Sequence, residues 1–329
     1  MDFHTRVELP KDLPLLTHDV QIMLMGSCFA ENVGILLRKN KLNVGINPYG
    51  ILYNPLSAAT VIREIANGKV YTEEDLFEYR EYWHSRMHHG SFSAATPEKA
   101  LLQINSRLKE ASSRFPTLEY LMLTWGTAFV YRQKENGNIV SNCHKQPESC
   151  FDRRILSVDE IVQTYASLLT ELAEQNPKLK IVATVSPIRH IRDGFHANQI
   201  SKSTLLLALD QLQRQFSDRL FYFPSYEIVM DELRDYRFYA EDMLHPSNVT
   251  LEYLWKRFSE VFFSPETELI NIDVSSIYKD LSHKPYHPEA EDYQRFLKQI
   301  VLKIERLTRK YPYLDFKNEI ELCHTRLNP

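Results

Sequence analysis

The feature that most constrains the fold of this 329-residue chain is an alternation of short apolar runs with segments of helical period. Five runs have the length and composition of buried strands, at residues 20–25, 42–46, 120–125, 180–186 and 220–223. After the first run, Phe29, Val33 and Leu36 recur at the spacing of one helix face. Strands that alternate with helices predict an α/β fold, with a parallel sheet of five strands covered by helices on both faces.

Further helices are marked by caps and by apolar stripes. Ser157 and Glu160 form a capping box, which predicts a helix through about residue 173. Residues 203–216 and 250–262 carry the same helical period. In open parallel sheets, ligands bind beyond the carboxyl ends of the strands. Because Gly26, Gly50 and Gly126 lie at or beyond such ends, we expect the functional site at that edge.

Two regions depart from the alternation. Residues 71–95 are rich in aromatic side chains and histidine, and we interpret them as an insertion over the functional edge of the sheet. Residues 266–329 form a tail in which residues 293–307 predict an amphipathic helix. The predicted organisation is a catalytic domain over residues 1–265 and a C-terminal helical appendage over residues 266–329.

Charge and composition exclude several classes of function. The net charge of −4 and the pI of about 6.3 give no general attraction to nucleic acid or to an anionic membrane surface. No apolar run has the length of a membrane span, and the first residues lack the apolar segment of a secretory signal. The four cysteines show no C-x-x-C spacing and no glycine-rich phosphate loop is present, so we expect a cytoplasmic protein with free thiols.

A nucleophile and a base are indicated at opposite ends of the main domain. Gly26, Ser27 and Cys28 stand between an apolar run and a helical pattern, where a strand-to-helix turn would expose a hydroxyl or thiol. Asp242 precedes His245 by three residues, and the proline that follows keeps His245 out of helical geometry. An Asp can orient such a His as a general base. Together the two motifs favour acyl transfer, with either Ser27 or Cys28 as nucleophile.

These motifs resemble the GSCFA-domain family, which is widespread in bacteria. The first carries the family's name, Gly26-Ser27-Cys28-Phe29-Ala30, and the others are Asn47-Pro48-Tyr49-Gly50, Trp125-Gly126-Thr127-Ala128, Asn142-Cys143-His144-Lys145, Ser186-Pro187-Ile188-Arg189-His190 and Asp242-Met243-Leu244-His245-Pro246. The family is itself similar to SGNH (GDSL-like) hydrolases. That similarity implies a flavodoxin-like α/β/α sandwich and ester chemistry without a metal or other cofactor.

The SGNH pattern transfers to this chain with two departures. Its Gly-x-Ser block places the serine position on Cys28, whereas the serine itself is Ser27. Gly50 matches the glycine whose N–H lines the oxyanion hole. The Gly-x-Asn block reads Gly126-Thr127-Ala128 here, so its Asn is missing, and Thr127 or Asn142 would have to replace that donor. The Asp-x-x-His block is intact at Asp242 and His245.

Substrate contacts are expected from the insertion and from two further motifs. In the insertion they are Trp83, His84, His88 and His89, and elsewhere His144 and Arg189. His84 and His88 are four residues apart, a spacing that on a helix would also suit a metal, but no further ligand stands at a recognisable spacing. A purely structural role for these histidines is the other alternative. Arg189 suits an anionic group or a structural ion pair.

The sequence thus predicts an acyl hydrolase or acyltransferase that acts on an ester of a hydroxylated substrate such as a glycan, with acetyl as the expected acyl group. The alternative is a non-catalytic carbohydrate- or ligand-binding protein that keeps the fold. The missing Asn of the Gly-x-Asn block favours this alternative, and the intact Asp-x-x-His motif disfavours it.

Overall fold

The computed structural model describes residues 5–11, 13–283, 285–287 and 290–327. The strands in this part of the chain are β1 (Gln21–Gly26), β2 (Asn43–Ile46), β3 (Leu76–Tyr79), β4 (Tyr82–Ser85), β5 (Tyr120–Trp125), β6 (Phe129–Gln133), β7 (Ile139–Val140), β8 (Phe151–Ile155), β9 (Lys180–Val185) and β10 (Leu220–Tyr222). Five of them form a parallel sheet in the order β10-β9-β5-β1-β2. This is the flavodoxin-like order, and it confirms the fold class predicted from the sequence.

Helices cover both faces of this sheet. The helices of the described chain are α1 (Cys28–Lys39), α2 (Pro55–Ala66), α3 (Pro97–Arg114), α4 (Val158–Gln175), α5 (Gly194–Gln215), α6 (Ser225–Glu227), α7 (Asn248–Phe262), α8 (Pro265–Ser282), α9 (Glu291–Lys310) and α10 (Lys317–Leu327). One apolar cluster joins alternate strand residues such as Met23 and Met25 to α2, α3, α4 and α5. A second joins Ile22 and Leu24 to α1 and α7. Both faces of β1 are therefore buried, as its continuous apolar run requires.

Two small antiparallel sheets are inserted between these elements. Strands β3 and β4 form a hairpin within the insertion at residues 71–95. Strands β7, β6 and β8 form a second sheet, which the sequence analysis did not predict. His84 lies on β4 and His88 in the turn that follows, so the helical spacing on which the metal alternative depended is not formed.

The C-terminal helices α8, α9 and α10 share a third apolar cluster, which includes Ile270, Leu297 and Cys323. One link to the main sheet domain is an ion pair of 2.7 Å between Lys41 and Glu319. The domain bounds at residue 265 stay a prediction, and residues 1–4, 328 and 329 at their outer ends lie outside the described residues. No helix of the described chain has the length and apolarity needed to cross a membrane.

Candidate active site

The turn between β1 and α1 is fixed by backbone contacts that only glycine permits. Gly26 has a φ of +139°, and a Cβ there would lie 2.2 Å from the carbonyl oxygen of Thr124 on the neighbouring strand. The Gly26 N–H donates to Asn47 Oδ1 at 3.0 Å, and the Ser27 N–H donates to Thr124 O at 3.3 Å. The two residues that follow Gly26 are therefore held at the carboxyl edge of the sheet, at the start of α1.

Ser27 and Cys28 have different environments. The Ser27 side chain is buried, and its Oγ accepts from the Phe29 N–H as the N-cap of α1. Cys28 is the first residue of the helix and is partly exposed as a free thiol. Burial raises the pKa of this thiol, while its own N–H, that of Phe29 and the charge of Lys202 act in the opposite direction. Of the two side chains, that of Cys28 is thus the more exposed.

Asp242 holds His245 in a defined orientation. One oxygen of Asp242 lies 2.5 Å from His245 Nδ1, and the other accepts from the backbone N–H groups of Leu244 and His245, both at 2.9 Å. These bonds lower the pKa of Asp242 to about 2, the His245 N–H being the largest cause. Tyr239 bridges to Pro246 on the far side of the turn. The half-exposed imidazole keeps Nε2 as the ring atom that can take a proton.

Two basic residues that the sequence analysis did not select lie at the same edge. Lys202 of α5 is fully buried and donates to the carbonyl oxygens of Gly126 and Ser186, both at 2.6 Å. His190 follows β9, and its Nε2 lies 3.3 Å from the point that a Cβ on Gly126 would occupy. Burial lowers the pKa of His190 to about 4, and the charges of Lys202 and His245 act in the same direction. His190 is therefore within the electrostatic reach of both the buried lysine and the His245 turn.

The predicted oxyanion donors have partners inside the protein. The N–H of Gly50 donates to Asn47 O at 2.8 Å, and Gly50 has a φ of +78° with His89 packed against its Cα. The N–H groups of Gly126 and Thr127 both donate to Tyr53 O, at 2.8 and 3.0 Å. These three N–H groups therefore donate to backbone carbonyls of the protein itself.

The two side chains expected to replace the missing Asn are also engaged. The Thr127 hydroxyl lies 3.0 Å from the Ser201 hydroxyl and accepts from the Phe129 N–H at 3.1 Å. Asn142 Oδ1 accepts from the His144 N–H at 2.8 Å, in a loop where His144 has a φ of +49°. Both side chains hold the backbone around them, and their role as oxyanion donors stays a prediction.

Three of the histidines expected to contact substrate pack inside the protein. His88 is 1% exposed, and its ring stacks on Tyr49 with the ring centroids 4.1 Å apart. His144 is buried and its Nε2 donates to Ser85 O at 2.8 Å. His84 is bonded through both ring nitrogens, to the Ser93 hydroxyl and the Tyr79 carbonyl. Burial lowers the pKa of His88 to about 3 and that of His144 to about 4, so both rings are neutral near pH 7. The structural alternative describes these three side chains.

His89, Trp83 and Arg189 have more open positions. His89 is exposed, and its N–H donates to Tyr49 O at 2.9 Å, which places it beside Gly50. Trp83 is half-buried and its backbone pairs with Ala94. Arg189 lines a cavity of about 240 Å³ together with Arg234, Tyr236 and Tyr239. In the described chain, no group of three or more His, Cys, Asp or Glu side chains is arranged to hold a metal ion.

The fold and this edge together define an α/β sandwich in which a thiol begins the first helix and a His–Asp pair precedes a later one. Residues 21–258 match the model of the GSCFA family, and residues 274–329 match that of the GSCFA domain protein C-terminal domain. The chain therefore belongs to the GSCFA family.

Comparison with solved structures finds a distant similarity to Est2A, an acetyl xylan esterase from the rumen bacterium Butyrivibrio proteoclasticus. The two chains are 9% identical with a TM-score of 0.38, and the match covers 75% of this chain and 64% of that one. This chain therefore spans less than two thirds of the esterase's length. Among curated proteins, no significant sequence match was found.

Proposed function

We propose that this protein is a cysteine-dependent acyl hydrolase or acyltransferase, acting on esters of hydroxylated substrates such as glycans. One observation carries the proposal: Asp242 binds both the Nδ1 and the backbone N–H of His245, at 2.5 and 2.9 Å. An imidazole held in this way has its Nε2 ready to accept a proton, and the carboxylate stabilises the imidazolium that forms.

The proposed reaction follows from these groups. As the Cys28 sulfur attacks the ester carbonyl, His245 Nε2 takes the thiol proton, because burial raises the pKa of this thiol. The tetrahedral oxyanion is stabilised by the N-terminus of α1, where the Cys28 N–H already acts on the sulfur and the Phe29 N–H is held by Ser27 Oγ. When the intermediate collapses, the imidazolium returns its proton to the leaving alcohol. Water, or a second hydroxyl, then attacks the thioester with His245 as base.

A matched pair of substitutions tests this assignment. We expect Cys28→Ala to lower kcat/KM for p-nitrophenyl acetate by at least about 10³-fold, because it removes the nucleophile. Ser27→Ala should leave kcat/KM within about tenfold and cost about 1 kcal/mol of stability, because it removes an N-cap. Steady-state kinetics, urea denaturation and mass mapping of iodoacetamide-modified peptides give the readouts. If Ser27→Ala abolished turnover and Cys28→Ala did not, the nucleophile would be the serine.

An apolar cavity next to this turn bears on the size of the acyl group. Its volume is about 40 Å³, and it lies between α1 and α7 with Phe29, Val33, Thr124 and Leu254 in its walls. The Cys28 side chain packs against the same apolar cluster. Because one water needs roughly 10–15 Å³ on this scale, the cavity has room for about three water-sized groups. This size suits the tail of a short acyl chain, from acetyl to butyryl.

We therefore expect kcat/KM for acetyl and butyryl p-nitrophenyl esters to exceed that for the octanoyl ester by at least about tenfold, the size of discrimination that a filled apolar pocket supplies. Val33→Phe should fill the cavity and lower the butyryl rate relative to the acetyl rate. Ile35→Phe is the control, because Ile35 lies on the same helix but is 53% exposed. A preference for octanoyl, or equal effects of the two substitutions, would contradict this use of the cavity.

The second candidate is a non-catalytic protein that binds a carbohydrate or another ligand. It is favoured by the internal bond of the Gly50 N–H, which leaves the oxyanion donor expected from the SGNH pattern occupied, and by the missing Asn of the Gly-x-Asn block. If this candidate is correct, wild type and Cys28→Ala should hydrolyse each p-nitrophenyl ester named above at the same rate. The same kinetic experiment therefore separates the two candidates.

A further inference from the structure

Lys202 is a charged residue whose side chain is completely buried in the described chain. Its side chain is 0% exposed, and its Nζ donates to two backbone carbonyls, Gly126 O and Ser186 O, each at 2.6 Å. Among the residues that the structure describes, no carboxylate forms an ion pair with it. A buried ammonium group without a counter-charge is costly, so a lysine here is a poor choice for packing alone.

The two carbonyls place Lys202 at the carboxyl edge of the sheet. This position is close to the turn Gly26-Ser27-Cys28 between β1 and α1, which is called the nucleophile turn below. Gly126 follows β5 and Ser186 follows β9. Gly126 stands two residues beyond Thr124, whose carbonyl accepts from the Ser27 N–H. The sulfur of Cys28 and the ammonium of Lys202 act on one another, since the lysine charge favours the thiolate and the thiolate favours the charged lysine.

We propose that Lys202 is a positioning residue for the nucleophile: its ammonium group, fixed by the carbonyls of Gly126 and Ser186, supplies the positive charge that stabilises the thiolate of Cys28 in this buried turn. The inference rests on the proposed function only in taking Cys28 as the nucleophile. It adds a group from α5, an element to which the Asp–His mechanism assigns no role. A nearby lysine is a recognised means of increasing the thiolate fraction of a cysteine.

Other titratable groups face this pair and must be considered with it. Glu31 and Tyr53 lie near Cys28, and the charge of Glu31 opposes thiolate formation. His190 lies near Lys202, and the Tyr226 ring centroid is 6.0 Å from Nζ. Burial lowers the pKa of His190 to about 4, so it stays neutral in the range where Lys202 titrates. Lys202 is thus the group whose charge changes near neutral pH.

Burial lowers the pKa of Lys202 to about 7, which gives the proposal a pH signature. Below pH 7 the lysine is charged and favours the thiolate, and above pH 7 it becomes neutral and this effect fades. A neutral amine still has two N–H donors, so both carbonyl contacts can persist. A purely structural tether would therefore act alike on both sides of pH 7, whereas an electrostatic role would not.

The test is the rate of Cys28 alkylation by iodoacetamide, followed peptide by peptide between pH 5.5 and 10 on the full chain. Iodoacetamide is neutral, and the exposed Cys150 reports the intrinsic thiol rate in the same sample. Lys202→Met should slow Cys28 alkylation about tenfold at pH 6–7, which corresponds to about one unit of thiol pKa, with Cys150 unchanged. At pH 9–10 the wild-type and variant rates should converge. Lys202→Arg, which cannot lose its charge, should restore the rate at pH 6–7.

Lys202→Gln keeps hydrogen-bond donors without the charge, and its Cys28 alkylation rate should match that of Lys202→Met. If the Met variant fails to fold, the comparison of the Arg and Gln variants tests the inference instead. Equal Cys28 profiles in the Arg and Gln variants would overturn the inference. Ester hydrolysis separates this outcome from failure of the proposed function. A Lys202-dependent alkylation profile without hydrolysis refutes only the proposed function, and Cys28-dependent hydrolysis with a Lys202-independent profile refutes only the inference.

Discussion

Replacement of Asp242 by Asn should lower kcat/KM for p-nitrophenyl acetate by about 10³- to 10⁴-fold while the fold remains intact. One carboxylate oxygen of Asp242 accepts from His245 Nδ1, and the other from two backbone N–H groups. An Asn side chain can keep the backbone contacts through its carbonyl oxygen, but it then presents NH₂ to Nδ1. The ring must accept there, so the proton moves to Nε2, which is the tautomer that cannot take a proton from Cys28.

Asp235→Asn is the matched control for this substitution. Asp235 also caps a short exposed turn, accepting from the Arg237 N–H at 3.0 Å, but it binds no histidine. We expect it to leave kcat/KM within about twofold, as surface substitutions outside such sites usually do. His245→Ala should cost as much as Asp242→Asn, and the double variant little more, because the two residues act as a unit. Independent, additive losses would show that Asp242 only shapes the turn.

The pKa of Asp242 determines how the proposed esterase activity should respond to acid. Backbone and imidazole contacts lower the pKa of Asp242 to about 2 from its ordinary value of 3.8. The carboxylate therefore stays ionised above about pH 3, and it would lose its charge only as the pH falls through 2. A fall in kcat/KM between pH 4 and 7 should consequently report a group other than Asp242. Rates measured at constant ionic strength in wild type and Asp242→Asn would check this.

The sheet could be predicted from sequence because its signal is local and strong. All five strands of the parallel sheet were expected within about one residue of their observed bounds, since each is a short apolar run, and β1, β5 and β9 are buried on both faces. The Asp242–His245 contact was predictable for the same reason, because three residues of turn suffice to close it. Both inferences needed only neighbours along the chain.

Features that depend on distant contacts were missed. Helix α5 begins at Gly194, nine residues before the expected start. Its first turns were missed because they bury the polar side chains of Asn198, Ser201 and Lys202, which interrupt the apolar stripe. The sheet of β6, β7 and β8 has short strands with many polar residues and gave no alternation to detect. A fully buried lysine leaves no mark in periodicity, so Lys202 could be found only from the fold.

The histidines of the insertion illustrate a different limit. The sequence analysis expected these histidines to contact substrate, with a structural role as the alternative, and His88 stacks on Tyr49 and packs edge-on against Tyr71. Both tyrosine hydroxyls donate to Glu64 Oε2, at 2.8 Å each. A neutral imidazole suits this aromatic and polar cluster as well as it would suit a substrate. Which of the two applies depends on burial, which the sequence does not contain.

The largest effect on stability is expected from Gly26→Ala, the residue that allows the nucleophile turn to form. A Cβ at this position would lie 2.2 Å from Thr124 O, and a φ of +139° is rarely adopted by L residues. The backbone on both sides must move, so we expect a loss of more than about 4 kcal/mol in the free energy of unfolding.

Gly68→Ala is a control for the cost of the positive φ alone, because Gly68 has a φ of +63° and no atom within 4 Å of its Cβ position. This substitution should cost about 1 kcal/mol. Gly90→Ala, which also has open space, should stay within about 0.5 kcal/mol. Urea denaturation of the three variants measures these differences in the free energy of unfolding. If Gly26→Ala lost no more stability than Gly68→Ala, the strands would be able to separate enough to admit a side chain beside Ser27 and Cys28.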